Sequence, residues 1–412
     1  MNLEEFPYEL IIEQALNLDL ASINHLCQTS RRFNDVICES QNFWHQKFVV
    51  DWKLDPKIYT GSWKQLYQNY GSVWVFGQNN YGQLGLGDNV DRSIPSLLPN
   101  IKAKQVSTGG YHTVLLDLQN NVFVLGNNVR GQLGLGYSGD RSIPTLLPNI
   151  KAKKIFAGMA HTIVIDLEDN VFVVGYNSYG QLGLGDLNNR LIPTQIPNIK
   201  ARQVSAGVYH TFLIDLQDNV WVFGESRFGK LGLGDLNDRL IPTLLPNIKA
   251  KQIFAGAYHT VLLDLEDNVW TFGLNEYGQL GLGDRNNRSI PTLLPNIKAK
   301  KITAGGHHTV LIDLQDNVLV FGENISGQLG LGDRNNRLIP TLIPNIKAKQ
   351  MFAGAYHTVL LDLENNIWSL GISQLGISGH NDRLTPTLLP NIKAQQVSVG
   401  LSHTVLIGTN IQ

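Results

Sequence analysis

Cysteine is nearly absent from this 412-residue chain: there are two, Cys27 and Cys38, both within the first 40 residues. So few thiols in so long a chain argue against a disulfide framework, and both are expected as separate small buried side chains in a reducing compartment. A long apolar run is also missing; nothing approaches the roughly 18–20 residues needed to cross a bilayer. Met1-Asn2-Leu3-Glu4-Glu5 is acidic and lacks the basic and apolar regions of a signal peptide, so an intracellular protein, cytoplasmic or nuclear, is expected, in a host cell if the source is a virus or intracellular bacterium. There is no charge excess either. The formal net charge is −1, whereas a protein gripping nucleic acid through phosphates normally carries a basic surplus, so neither nucleic acid nor membrane is an expected partner.

What the chain does have is a period. Gly77, Gly126, Gly175, Gly224, Gly273, Gly322 and Gly371 follow apolar runs at steps of 49 residues. His112, His161, His210, His259, His308, His357 and His403 recur in Gly-x-x-His-Thr, at steps of 49 until a last step of 46. A fixed period of this size means a solenoid or a propeller. Within one unit, Lys251–Gly256, His259–Asp264 and Val269–Gly273 read as short strands around the turn cluster Glu266-Asp267-Asn268. Arg288–Pro295 follows, its prolines suiting an outer edge strand. Nothing reads as paired helices, so the units are expected to be propeller blades. The array begins at a third strand, Val73–Gly77, and ends after a second, His403–Ile407. Pairing of these two segments would close a ring and hide its edges.

Gly273 to Asp284, with Ala-Gly-x-x-His-Thr and Asp-Asn-Val-Trp-Thr-Phe-Gly, strongly resembles the regulator of chromosome condensation repeat, over residues 73–412. The resemblance implies a mainly β fold, a seven-bladed β-propeller. Residues 1–47 differ in texture: Leu10, Ile11, Leu16, Ile23, Leu26, Phe33 and Ile37 recur at mostly helical spacing. Phe6-Pro7-x-Glu9-Leu10, then Leu20-x-x-Ile23-x-x-Leu26-Cys27, then Ser30-Arg31-Arg32-Phe33 and Phe43-Trp44 resemble an F-box, with Phe6-Pro7 in place of the usual Leu-Pro. That implies a small all-α domain of about three helices that docks on the adaptor subunit of a cullin ubiquitin ligase. Pro7, Leu10, Ile11, Ile23, Leu26 and Phe33 would form the interface or its supporting core. Residues 48–72, with Trp52, Trp63, Tyr67 and Tyr70, are expected to be an ordered aromatic connector carrying a short helix.

No catalytic constellation stands apart from the repeat, so a non-enzyme without cofactor or metal is expected. Seven histidines on separate blades cannot converge on one cation, and each is expected to bond nearby backbone. Gly224–Leu231 nearly matches a phosphate-binding loop, but it lacks the Ser/Thr for magnesium, and Lys230 stands where other copies carry glutamine (Gln83, Gln279). The recurring arginines, Arg92 to Arg383, are expected to pair with aspartates such as Asp88 and Asp284. Strand direction places the Gly-x-x-His turn and the loop after Phe-Gly on one face, where the copies differ most. Tyr81, Tyr111, Arg130, Tyr209, Arg227, Phe228, Tyr258, His307 and Tyr356 are the candidate partner-binding residues there. The combined resemblances imply a substrate receptor of a cullin-type ligase, the propeller holding an unidentified protein target. The alternatives are nucleotide exchange on a small GTPase, as for the repeat family's namesake, and a pure scaffold. Exchange in that namesake uses an inserted wedge and a basic tail, and this array, with unbroken 49-residue steps and no basic tail, argues for the receptor.

Overall fold

The computed structural model describes residues 7–52, 62–64, 70–372 and 382–410. The chain divides into two compact units, Met1–Ser72 and Val73–Gln412.

In the first unit, Pro7 caps helix α1 (Tyr8–Leu16), and Asp19 caps α2 (Leu20–Thr29) by accepting from the Ser22 amide at 2.7 Å. The short α3 (Arg31–Phe33) runs into a π-helical turn, Asn34–Cys38, before α4 (Gln41–Trp52). Helix α4 continues unbroken through residues 47 and 48. Ile11, Ile23, Phe33, Ile37, Phe43, Trp44 and Phe48 are buried together. Trp63 and Tyr70 pack on α4, Trp63 against His45 at 4.1 Å and Tyr70 against Phe48 at 4.8 Å between ring centroids. Tyr67 falls outside the described residues; of the expected connector helix only Trp63 and Lys64 are described, and both are helical. The expectation of separate thiols is corrected: Cys27 and Cys38 form a disulfide. The chain folds back after α2 and brings their Cα atoms to 6.2 Å, within bridging range. The argument for a reducing compartment drawn from free thiols falls with it. No described helix is long and apolar enough to cross a membrane.

The second unit is a propeller-like β fold. Its strands pair antiparallel in the order the repeat predicts: His259 lies opposite Gly273, and Gly273 opposite Arg288. The glycine is required there. At Gly273, φ is +105°, and an added Cβ would lie 2.6 Å from the Tyr258 carbonyl oxygen. The proline strand and the next repeat's first strand, read from sequence as separate, are one strand, as in Arg239–Ala255, except in the first repeat, where Arg92–Lys102 and Gln105–Thr108 stay apart. Its first half pairs with Asn219–Gly224 and its second with His259–Asp264, so a single strand leaves one sheet and enters the next. Just before the change of sheet, between Leu244 and Lys249, the strand bulges at an asparagine, Asn247, at φ 60°, and Asn100, Asn149, Asn198, Asn296, Asn345 and Asn391 take the same left-handed turn. The core lies between neighbouring sheets. Phe212 and Val222 of one repeat pack with Ile253, Leu262 and Phe272 of the next, so no repeat can bury its apolar face alone.

The ends of the array meet. Val73–Gly77 pairs antiparallel with His403–Ile407, register Val73 to Ile407 and Gly77 to His403. The first strands of the first and last repeats are also joined, the Thr108 amide donating to Ser398 Oγ at 2.9 Å.

Candidate functional site

The expected histidine–backbone bonds are corrected. His112 Nε2 lies 2.9 Å from Thr162 Oγ1, in the next repeat. The same link joins His161 to Thr211 (3.0 Å), His259 to Thr309 (2.9 Å), His308 to Thr358 (2.8 Å), and, across the closure, His403 to Thr113 (3.0 Å). Each threonine hydroxyl donates in turn to a backbone carbonyl, Thr162 to Gln132 at 2.7 Å. A hydroxyl that donates onward must accept from the histidine, so Nε2 carries a proton; a second proton on a buried, unpartnered Nδ1 would be uncompensated, so the imidazole is neutral. The other nitrogen, Nδ1, is buried without a partner in His112, His161, His259, His308 and His403. The arginines also have structural roles: Arg92, Arg190, Arg239, Arg288 and Arg337 each bind the aspartate four residues earlier at 2.6–2.7 Å. Among the described residues no three metal-binding side chains converge.

The repeated residues therefore hold the ring, and variable residues above them form a surface. Because His and Gly are opposite each other, the two variable loops of each fully described repeat emerge at the same end. Tyr209 lies 4.6 Å from Tyr179 and 6.0 Å from Tyr176 between ring centroids, and Arg130 stands 5.0 Å over Tyr176. Tyr258 stacks on His307 at 5.2 Å, and His307 meets Tyr277 at 5.1 Å. Phe228 contacts Tyr258 edge-on at 6.0 Å, and Arg227 lies 4.8 Å over Phe228. Lys230 Nζ sits between Tyr209 and Tyr258, 6.0 and 5.6 Å from their centroids, joining both groups into one arc from Arg130 to His307. Tyr81 and Tyr111 pair separately at 5.2 Å. Tyr356 is 44% exposed.

Burial pushes the Tyr209 hydroxyl above the ordinary phenol range, and the neighbouring tyrosines add to this. Burial pushes His307 down, opposed by the Glu276 carboxylate. Burial pushes Glu323 up, against a bond from Gln328. Sequence reasoning missed Tyr176, Tyr179, Tyr277, Lys230 and Glu225. Tyr179 and Tyr277 share the register of Tyr81, which is the signal that points to them; for Lys230 the signal is its place in a series of glutamines. Of the six F-box candidates, Ile11, Ile23 and Phe33 are core, Leu10 and Leu26 are half-buried, and Pro7 is exposed.

Repeats packed sheet against sheet, joined end to end by strand pairing and carrying variable aromatic loops at one end, define a propeller-like repeat protein with a candidate docking face. The regulator of chromosome condensation (RCC1) repeat matches residues 70–116, 119–165, 168–214, 217–263, 266–312 and 315–361, and a second form of the repeat matches 103–132 and 250–279. The chain belongs to the RCC1 repeat family. No curated protein matches its sequence. Among solved structures it is similar to yeast RCC1 (Prp20) bound to Kap60, with TM-score 0.75, 21% identity, and coverage of 83% of this chain and 89% of that one. Prp20p from Saccharomyces cerevisiae gives TM-score 0.75 at 21% identity, covering 84% and 92%. Human WBSCR16 gives 0.74 at 22%, covering 83% and 99%. At these identities the likeness is one of fold.

Proposed function

We propose that this chain is a non-catalytic protein-docking scaffold, a seven-bladed RCC1 propeller that holds a protein partner on its aromatic end. The observation that carries this reading is the arc from Arg130 to His307, assembled from residues that vary between copies whose remaining sequence barely varies. Pairing of Val73–Gly77 with His403–Ile407 supports a seventh blade built from both ends. A small GTPase is the partner class to test first. The Prp20p structure is described together with binding to Gsp1p and histones, and Gsp1p supplies the probe. The full chain is expected to bind Gsp1p, and Tyr179→Ala and Tyr277→Ala are each expected to weaken binding on the order of tenfold, about 1.4 kcal/mol. Calorimetry measures the affinity, and a nucleotide-release assay on the same complex separates scaffold from exchange factor. Absence of binding removes the GTPase.

A second reading is supported by the N-terminal unit. Leu10 and Leu26 are half-buried and Pro7 is exposed, on helices whose Ile11 and Ile23 are core, as suits an F-box presenting apolar residues to an adaptor. The propeller would then present its partner to a cullin-type ubiquitin ligase. Co-purification of adaptor and cullin with the full chain, reduced by Leu10→Asp, is the expected result; a chain that captures neither is not a ligase receptor.

A further inference from the structure

The loop 225–230 breaks rules that its sister loops keep. In the sisters, the glutamine at the end of the loop accepts the backbone N–H two residues earlier, as Gln83 does from Tyr81 and Gln279 from Tyr277, both at 2.9 Å. Lys230 stands at that position and has no acceptor to offer. The loop tightens into a 3₁₀ turn, Arg227–Gly229, and Phe228 is forced to φ 65°. It is the only described residue other than glycine, asparagine or aspartate with a positive φ. A bulky side chain in that conformation is strained, and such strain gathers at functional sites. Ser226 also replaces the asparagine that accepts a 2.9 Å bond from Leu84 or Leu280 in sister loops. The Lys230 side chain is fully buried and pairs with Glu225. Below it, neither nitrogen of His210 has a partner, so this repeat departs from the histidine–threonine belt as well.

Beside this loop lies a cavity of about 530 Å³, walled by Glu225, Phe228, Leu236 and Asp238 and by Asn287 and Ser289 of the next repeat. We propose that loop 225–230 forms a specificity pocket on the docking face and that the pocket takes one basic side chain, arginine or lysine, from the bound protein. This rests on the docking-face reading. Lys230 occupies one oxygen of Glu225, and the Ser226 amide occupies one oxygen of Asp238 at 2.8 Å. Among the described residues the second oxygen of each carboxylate is unengaged, which suits an incoming N–H donor. The Phe228 ring and the exposed Leu236 suit its apolar stem. Arg227, over the Phe228 ring, already occupies the place of the incoming cation, as an internal stand-in.

Two substitutions test this without threatening the fold, because the array supplies their precedents. Lys230→Gln restores an acceptor for the 228 amide and a donor to Glu225, as Gln328 donates to Glu323 at 3.1 Å. Asp238→Asn copies Asn287, which caps the Asn275 amide at 2.9 Å. Saturation-transfer NMR on the full chain with blocked arginine, lysine and glutamate tetrapeptides gives the readout. The arginine or lysine peptide is expected to bind, at least tenfold more weakly to Asp238→Asn and more tightly to Lys230→Gln, which frees the Glu225 carboxylate of its cation, while the melting temperature of Lys230→Gln holds or rises. Arg227→Ala, which removes the competitor, is expected to tighten binding. Binding of the glutamate peptide, lost on Arg227→Ala, would overturn the proposal in favour of an anion. Binding of no peptide, or unchanged binding in Lys230→Gln, also overturns it, yet leaves the docking face standing if Tyr179→Ala and Tyr277→Ala still weaken Gsp1p.

Discussion

Acidification from pH 7 to pH 5 is expected to unfold the propeller. Burial holds His112, His259, His308 and His403 down to about 3, and His161 and His357 down to about 4. In the unfolded chain each titrates near 6.5. The folded value is the lower one, so the unfolded state takes up protons first. The stabilisation is complete above pH 6.5 and declines as pH falls toward 4. Each histidine shifts the folding equilibrium about tenfold per pH unit in that window. At pH 5 six of them together remove roughly 10 kcal/mol, comparable to the whole stability of an ordinary domain. The aspartates that end the histidine strands, such as Asp264, which accepts from the Asn268 amide at 2.8 Å and the Trp270 indole at 2.9 Å, act lower. Burial raises Asp264, but bonds from Trp270 and Asn268 outweigh it and hold the carboxyl low, so its contribution is lost only below the ordinary carboxylate range. Near-ultraviolet circular dichroism is expected to report a cooperative loss between pH 6 and 5, moved to lower pH by His161→Gln. A native signal persisting to pH 4 would mean that the histidines are not buried neutral links.

Removing the last strand is expected to be equally severe. Truncation after Gly400 deletes Val405, Leu406 and Ile407, all buried, and strips Val73–Gly77 of its partner. At about 2 kcal/mol for each lost side chain, with Phe76 and Val75 newly exposed, the loss is roughly 6 kcal/mol or more. It falls on two clusters at once, one around Val73 and Leu115, the other around Phe76 and Val397. A melting temperature lower by more than about 10 °C, with aggregation through the opened edges, is the expected result. An unchanged melting point would show that the ends contribute no closure.

Much of this was legible in the residues. The 49-residue period exposed the strands, the opposition of His259 and Gly273 followed from strand direction, and that opposition placed the variable loops at one end. What was hidden depended on partners distant in sequence or on rare backbone. Asn247 turns a strand without ending it, because a left-handed asparagine bends the chain within a continuous run, so Arg239–Ala255 read as two strands. His112 bonds Thr162, 50 residues on, a contact that no local pattern announces. Cys27 and Cys38, 11 residues apart, meet only because the chain reverses after α2. Lys230 was visible as the odd member of a glutamine series, but its meaning came from Phe228, whose strained backbone the substitution brings with it.

The docking face is tested most directly by hydroxyl-radical footprinting of the full chain with and without bound Gsp1p. The predicted result is protection of Tyr176, Tyr179, Tyr209, Tyr258 and Tyr277, with the exposed turn leucines Leu167, Leu216 and Leu265 at the opposite strand ends unchanged. Protection of those leucines while the tyrosines stay reactive, or protection of neither set, would contradict it.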